Sequence, residues 1–211
     1  YLEQEFVASH YDLRGLYRLI LNSRTYQQSS IPRSQDPKAE ALFAYYPVRR
    51  LDAEVLIDAL CRITGTQESY SSLIPEPFTY VPEEQRTIEL ADGSITSQFL
   101  ELFGRPARDT GLESERSNQP TDAQRLHMLN SSHVQKKIES SWRLKGVARL
   151  AGPNPTLAIA SVYAVILSRY PTPEELTTAQ QYLQASGARP QDAMVDLAWA
   201  LVNSKEFLYR H

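Results

Sequence analysis

Leu51-Asp52-Ala53-Glu54-Val55-Leu56-Ile57-Asp58-Ala59-Leu60-Cys61-Arg62-Ile63-Thr64-Gly65 is the stretch on which the fold turns. At about 100° per residue, Glu54, Asp58 and Arg62 share one stripe of a helix, and Val55, Leu56, Ile57, Ala59, Leu60 and Ile63 cover most of the remaining circumference. A helix this apolar has to be covered by other elements, so it is expected at the centre of the molecule. Gly65 supplies a left-handed stop.

The helical period continues on both sides. Upstream, Asp12 caps a helix over residues 12–22, with Leu13, Leu16, Tyr17, Leu19 and Ile20 at helical spacing, and Asp36-Pro37 opens a second over 36–46 that Pro47 ends. Downstream the period lapses over 66–96, where Pro75, Pro77, Pro82 and Asp92-Gly93 point to a long loop with a short hairpin over 87–95. A loop of that length in a compact domain is often functional. Ser97 caps a short helix to 102, an irregular charged stretch runs over 103–120, and Thr121 starts a helix to 130. A helical region over 132–150 stops at Gly152. Asn154-Pro155 and Thr172-Pro173 start helices ending near 169 and 187, and the last runs over 190–207. The fold class is therefore all-α, an irregular helical bundle with a long loop or small hairpin insertion around residues 66–96. The absence of internal repeats argues against a solenoid.

With 211 residues, 42% of them apolar, the chain can bury a sizeable core, which suggests one helical domain over residues 1–211. Lys and Arg total 22 against 25 Asp and Glu, so there is no basic excess to follow a phosphate backbone, and nucleic acid is not expected as a partner. The longest apolar stretch, 156–167, contains Ser161 and falls short of the about 18 residues of a membrane span. Cys61 is the single cysteine, which precludes an internal disulfide and a multi-cysteine metal site. The N-terminal Tyr1-Leu2-Glu3-Gln4-Glu5-Phe6 has neither an initiator Met nor a leader pattern and reads like the interior of a longer polypeptide.

Candidates for chemistry are few. Glu54 and Asp58, one turn apart, are the candidate catalytic carboxylates, as a pair for acid/base work or for holding a cation. Arg49 and Arg50 precede their helix, and Arg105, Arg108, Glu113, Glu115 and Arg116 in the irregular stretch are the candidate binding residues. The plainer reading of the same residues is an ion-pair network that fastens the loops to the bundle. His127 and His133 lack the spacing of a zinc pair, so no metal site is expected. No Gly-x-Ser-x-Gly context surrounds any serine, and the 8 glycines form no phosphate-cradling loop, so no cofactor is expected. Trp142 and Trp199 fall in helices and are expected to be packed. Tyr70, Phe78 and Tyr80 on the long loop are the better aromatic candidates for ligand or partner contact.

The ordered strings Asp12-Leu13-Arg14-Gly15-Leu16-Tyr17-Arg18-Leu19-Ile20-Leu21-Asn22-Ser23-Arg24-Thr25-Tyr26, Pro47-Val48-Arg49-Arg50-Leu51-Asp52-Ala53-Glu54, Phe103-Gly104-Arg105-Pro106, Glu113-Ser114-Glu115-Arg116, Gln119-Pro120-Thr121 and Leu201-Val202-Asn203-Ser204-Lys205-Glu206-Phe207 resemble the planctomycete-type domain of unknown function 1553. The resemblance implies the C-terminal part of a large exported protein, often with a cytochrome c-like domain upstream. It implies no activity, and this chain has no Cys-x-x-Cys-His to attach a haem. Two readings follow. One is a non-catalytic packing or interaction module whose partners are the upstream domains of the same polypeptide or another protein. The other is a carbohydrate-binding or hydrolytic domain using Glu54, Asp58 and the arginines.

Overall fold

The computed structural model describes residues 1–70, 81–82, 84–90, 95–106, 115–117, 119–152, 154–185, 187 and 189–210. The chain forms two compact units, residues 1–49 and 50–210. Among the described residues it is all-α apart from one two-stranded ladder between β1 (Arg49–Arg50) and β2 (Tyr209–Arg210).

In the first unit, α1 (Leu2–Ala8) turns into α2 (Leu13–Leu21) through His10 and Tyr11, both left-handed, and Phe6 meets Tyr11 edge to face at 5.3 Å. Asp12 caps α2 as its sequence requires, accepting from the Arg14 N–H at 3.0 Å. Sequence spacing did not mark α1. The helix expected over 36–46 is instead a run of turns: Leu42 N–H reaches the Lys38 carbonyl, but Phe43 is left-handed and its N–H bonds back to Glu40. A segment this short, with only Ala39 buried, lacks the apolar face that would offset the cost of helix nucleation.

In the second unit, α3 (Ala53–Thr64) is central, as its composition predicts. Leu56, Ile57 and Leu60 are at most 1% exposed, each stabilising the fold by about 2 kcal/mol through burial. Around it lie α4 (Gln98–Leu102), α5 (Asp122–Asn130), α6 (Ser132–Ser140) and α7 (Trp142–Leu150). The apolar α8 (Pro155–Leu167) packs on α7, and α9 (Pro173–Ala185), α10 (Pro190–Val202) and α11 (Lys205–Leu208) complete the unit. Phe99, Leu100, Val134, Ile138, Ile159, Val162 and Val202 join α3 in one core.

Two regions read as continuous helices are each divided by a serine. Ser141 parts α6 from α7: its Oγ accepts from the Leu144 N–H at 3.0 Å and donates to the Thr64 carbonyl at 2.7 Å. Ser204 parts α10 from α11, accepting from the Phe207 N–H at 3.2 Å. The Ser141 break serves the centre of the fold. Trp142 Nε1 donates to the Gly65 carbonyl (2.8 Å) and Arg143 to the Arg62 carbonyl (2.7 Å), so three consecutive residues satisfy carbonyls at the C-terminus of α3. Trp142 therefore uses its indole N–H as a cap and stays 64% exposed rather than packed, whereas Trp199 packs against the core. Thr87–Glu89, read as half of a hairpin, is a single 3-10 turn; residues 91–94 lie outside the described residues.

Candidate functional site

The first turn of α3 meets the irregular charged stretch at a buried junction. Glu54, whose side chain is 5% exposed, accepts a bidentate pair from Arg116, Nη1 to Oε2 at 2.8 Å and Nη2 to Oε1 at 2.6 Å. Arg105 Nε lies 3.3 Å from Oε1, and its Nη1 donates to the Ile95 carbonyl at 2.7 Å. Burial pushes the Glu54 carboxyl up, but the Arg116 hydrogen bonds and the charges of Arg116 and Arg105 outweigh it and hold the group below its ordinary value.

Arg50, on β1 four residues before Glu54, works differently. Its guanidinium donates to Gln124 Oε1, to the Phe103 carbonyl (2.7 Å) and to the Ser117 carbonyl (3.3 Å), and it stacks over the Phe103 ring at 5.4 Å. Gln124 meanwhile donates to the Leu102 carbonyl at 2.8 Å and completes the capping box of α5 with Thr121. One guanidinium thus binds the end of α4, the start of α5 and the segment around Ser117. Arg49 and Glu115 are exposed, and Arg108 and Glu113 lie outside the described residues.

Asp58 faces a different segment. Its two oxygens accept from the backbone N–H groups of Thr87 (2.8 Å) and Ile88 (3.1 Å), with Arg86 Nε at 3.9 Å, so it acts as a remote cap for the 3-10 turn. Tyr70 closes the same contact from its own side, its hydroxyl 2.6 Å from Thr87 Oγ1; burial pushes this phenol up to about 12, so it stays protonated. Glu54 and Asp58 share a stripe, yet each ties a different loop. The Asp58→Ala variant is expected to lose about 1–2 kcal/mol of stability, with faster amide exchange at Thr87 and Ile88. Unchanged exchange at those amides would show that the carboxylate does not hold the turn.

Sequence reading missed a second buried cluster. Lys137 on α6, 7% exposed, places Nζ 2.6 Å from Glu68 Oε1, 3.2 Å from Thr66 Oγ1, 3.1 Å from the Gln67 carbonyl and 3.3 Å from Cys61 Sγ. His133 Nε2 shares Glu68 Oε1 at 2.8 Å. The signal was present, because Lys137 interrupts the buried stripe Val134, Ile138, Ser141, where a lysine needs a partner. His127 and His133, on α5 and α6, approach to 5.9 Å between ring centroids despite their unsuitable spacing in sequence. Burial, then the neighbouring His133, draws His127 below its ordinary value. Among the described residues no group of three or more His, Cys, Asp or Glu could hold a metal ion.

A third junction links the end of α8 to α9 and α11. Arg169 donates to both oxygens of Glu175 (2.8 Å each) and both of Glu206 (2.7 Å each). The Arg169 hydrogen bonds bring Glu175 down to about 2.

Glu54, Glu68 and Glu175 all sit below the ordinary carboxylate value of about 4.3. Groups depressed in the folded state add stability above their unfolded value, and that stability is lost as the pH falls through the folded ones. The urea midpoint is therefore expected to drop between about pH 5 and about pH 2, the lower limit set by Glu175. A midpoint flat across that window would mean that the carboxylates are not ionised fasteners.

These features define an all-α protein in which the charged residues of the three junctions are joined to one another and to backbone. The chain belongs to the PSD1 family of proteins of unknown function (DUF1553), whose family model matches residues 1–183. The match ends before the 201–207 string. No curated protein and no solved structure matches the chain. Among the described residues, no helix is long and apolar enough to cross a membrane.

Proposed function

We propose that this domain is a non-catalytic packing module of an exported multidomain polypeptide, with α2 as a face that meets the upstream domains. The observation that carries the reading is the use of Glu54: both oxygens are engaged by arginines and the side chain is 5% exposed. A general acid or base has to reach a proton on its substrate, and a carboxylate held this way faces the protein's own cations instead. The planctomycete-type, exported context rests on the resemblance of the ordered strings.

α2 supports the same reading. Its apolar positions Leu13, Leu16, Tyr17 and Ile20 recur at helical spacing, yet neither α1 nor α2 contains a buried residue. Isolated helices of this length are marginal in water, and an amphipathic one gains stability when its apolar face is covered.

The test compares amide hydrogen exchange in α2 between the chain alone and the complete polypeptide that contains it. Slower exchange at Leu16, Tyr17 and Ile20 in the complete polypeptide is expected; equal rates would contradict the docking role. A parallel assay of the chain on glycans and esters separates the alternative: turnover that disappears in folded Glu54→Gln would make the domain an enzyme.

A further inference from the structure

α7, α8, α9 and α10 enclose a cavity of about 700 Å³, away from the Glu54 junction. Its walls are mostly apolar, with Leu144, Val162 and Val195 among them, joined by the polar side chains of Lys145, Arg149 and Gln191, and it is open at one side. Ala148 on α7 and Ala158 on α8 contribute only small side chains to the lining. Met194 adds an unbranched, adaptable side chain to the wall. The volume falls within the roughly 300–1,000 Å³ typical of small-molecule sites.

Charge distinguishes this cavity from a packing gap. Lys145 and Arg149, one turn apart on α7, both line it and are exposed, and neither has an ion-pair or side-chain hydrogen-bond partner among the described residues. Elsewhere in the same unit Arg105, Arg116, Lys137 and Arg169 are each tied to carboxylates. A helix dipole favours a cation in the last turn, which suits Arg149 but not Lys145 in the middle of α7. Two unneutralised cations beside an apolar hollow complement one kind of molecule, with an anionic head and an aliphatic body.

The geometry points to a binding site for a single-chain anionic amphiphile, a fatty acid in chemical class, with its carboxylate between Lys145 and Arg149 and its chain along Leu144, Val162 and Met194. The site is independent of the packing role and requires no catalysis.

Isothermal titration of the full chain with dodecanoate, below its micelle concentration, tests it. Saturable binding of one molecule per chain is expected, with dodecanol binding about tenfold more weakly for want of the charge. The exposed double substitution Lys145→Gln with Arg149→Gln is expected to weaken dodecanoate by about tenfold and leave dodecanol unchanged. Ala148→Leu, which fills the hollow, is expected to weaken both ligands. Absence of saturable binding, equal affinity for acid and alcohol, or an undiminished affinity in the double variant would each overturn the assignment. The last two readouts do not depend on the fold tolerating Ala148→Leu.

Discussion

Glu54→Gln is expected to lower the unfolding free energy by about 3–5 kcal/mol, the range found when one partner of a buried ion pair is removed. The substitution keeps the volume and removes the charge. Arg105, 7% exposed, and Arg116, 20% exposed, would then share one amide oxygen while the amide nitrogen, in the place of Oε2, presents a donor to the Arg116 Nη1 donor. The penalty arises chiefly from cations left without a counter-charge in a site that water cannot fully enter. Because these arginines anchor the stretches around Ile95 and Ser117, loss of stability should be accompanied by faster proteolysis near Arg116. Urea denaturation and limited digestion check this. A midpoint that is unchanged or raised would identify Glu54 as a residue kept for something other than stability, since active-site groups commonly cost stability.

Gly104→Ala is expected to be comparably damaging, at about 3 kcal/mol or more, for a steric reason. Gly104 has φ +91°, a region that side-chain-bearing residues rarely adopt, and an added Cβ would stand 2.0 Å from the Ser117 carbonyl oxygen. That carbonyl cannot yield freely, because it accepts from Arg50, and the adjacent Ser117 N–H donates to the Gly104 carbonyl at 3.1 Å. Moving Ser117 would drag Arg116 from Glu54, so the substitution should break the same junction from its other side. Gly146→Ala in α7 is the control: nothing lies within 4 Å of its added Cβ, and about 1 kcal/mol of added stability is expected from helix propensity alone. A thermal melt in which both glycine variants shift the same way would mean that the Ser117 contact is not rigid.

Much of the helical architecture is legible from local chemistry. Asp12, Ser97, Thr121 and Asn154 each cap the helix that their position predicts, and Gly65 is left-handed at φ 72° where α3 ends. These are contacts within a few residues, which sequence patterns record directly. The breaks at Ser141 and Ser204 were not read, because a serine inside a helical pattern is neutral until its Oγ finds an acceptor elsewhere, here the Thr64 carbonyl for Ser141. The run of turns after Asp36 was misread because a start signal without a sufficient apolar face does not sustain a helix.

The charged junctions were legible in composition but not in pairing. Glu54 and Asp58 share a stripe, and only the chain's long-range path sends one to Arg116 and the other to the Thr87 turn. Asp58 does not form the local ion pair with Arg62 that helical spacing suggests; backbone donors from a distant turn occupy it instead. Lys137 with Glu68 was missed altogether, since neither residue has a local sign of the other.

The most direct measurement is a double-mutant cycle between Glu54 and Arg116, using Glu54→Gln, Arg116→Gln and the pair, read as unfolding free energy in urea at neutral pH and again near pH 2. Internal fastening predicts that the two single losses do not add, with a coupling of about 1–3 kcal/mol at neutral pH that shrinks as Glu54 is protonated. Additive losses, with a coupling indistinguishable from zero at both pH values, would contradict it.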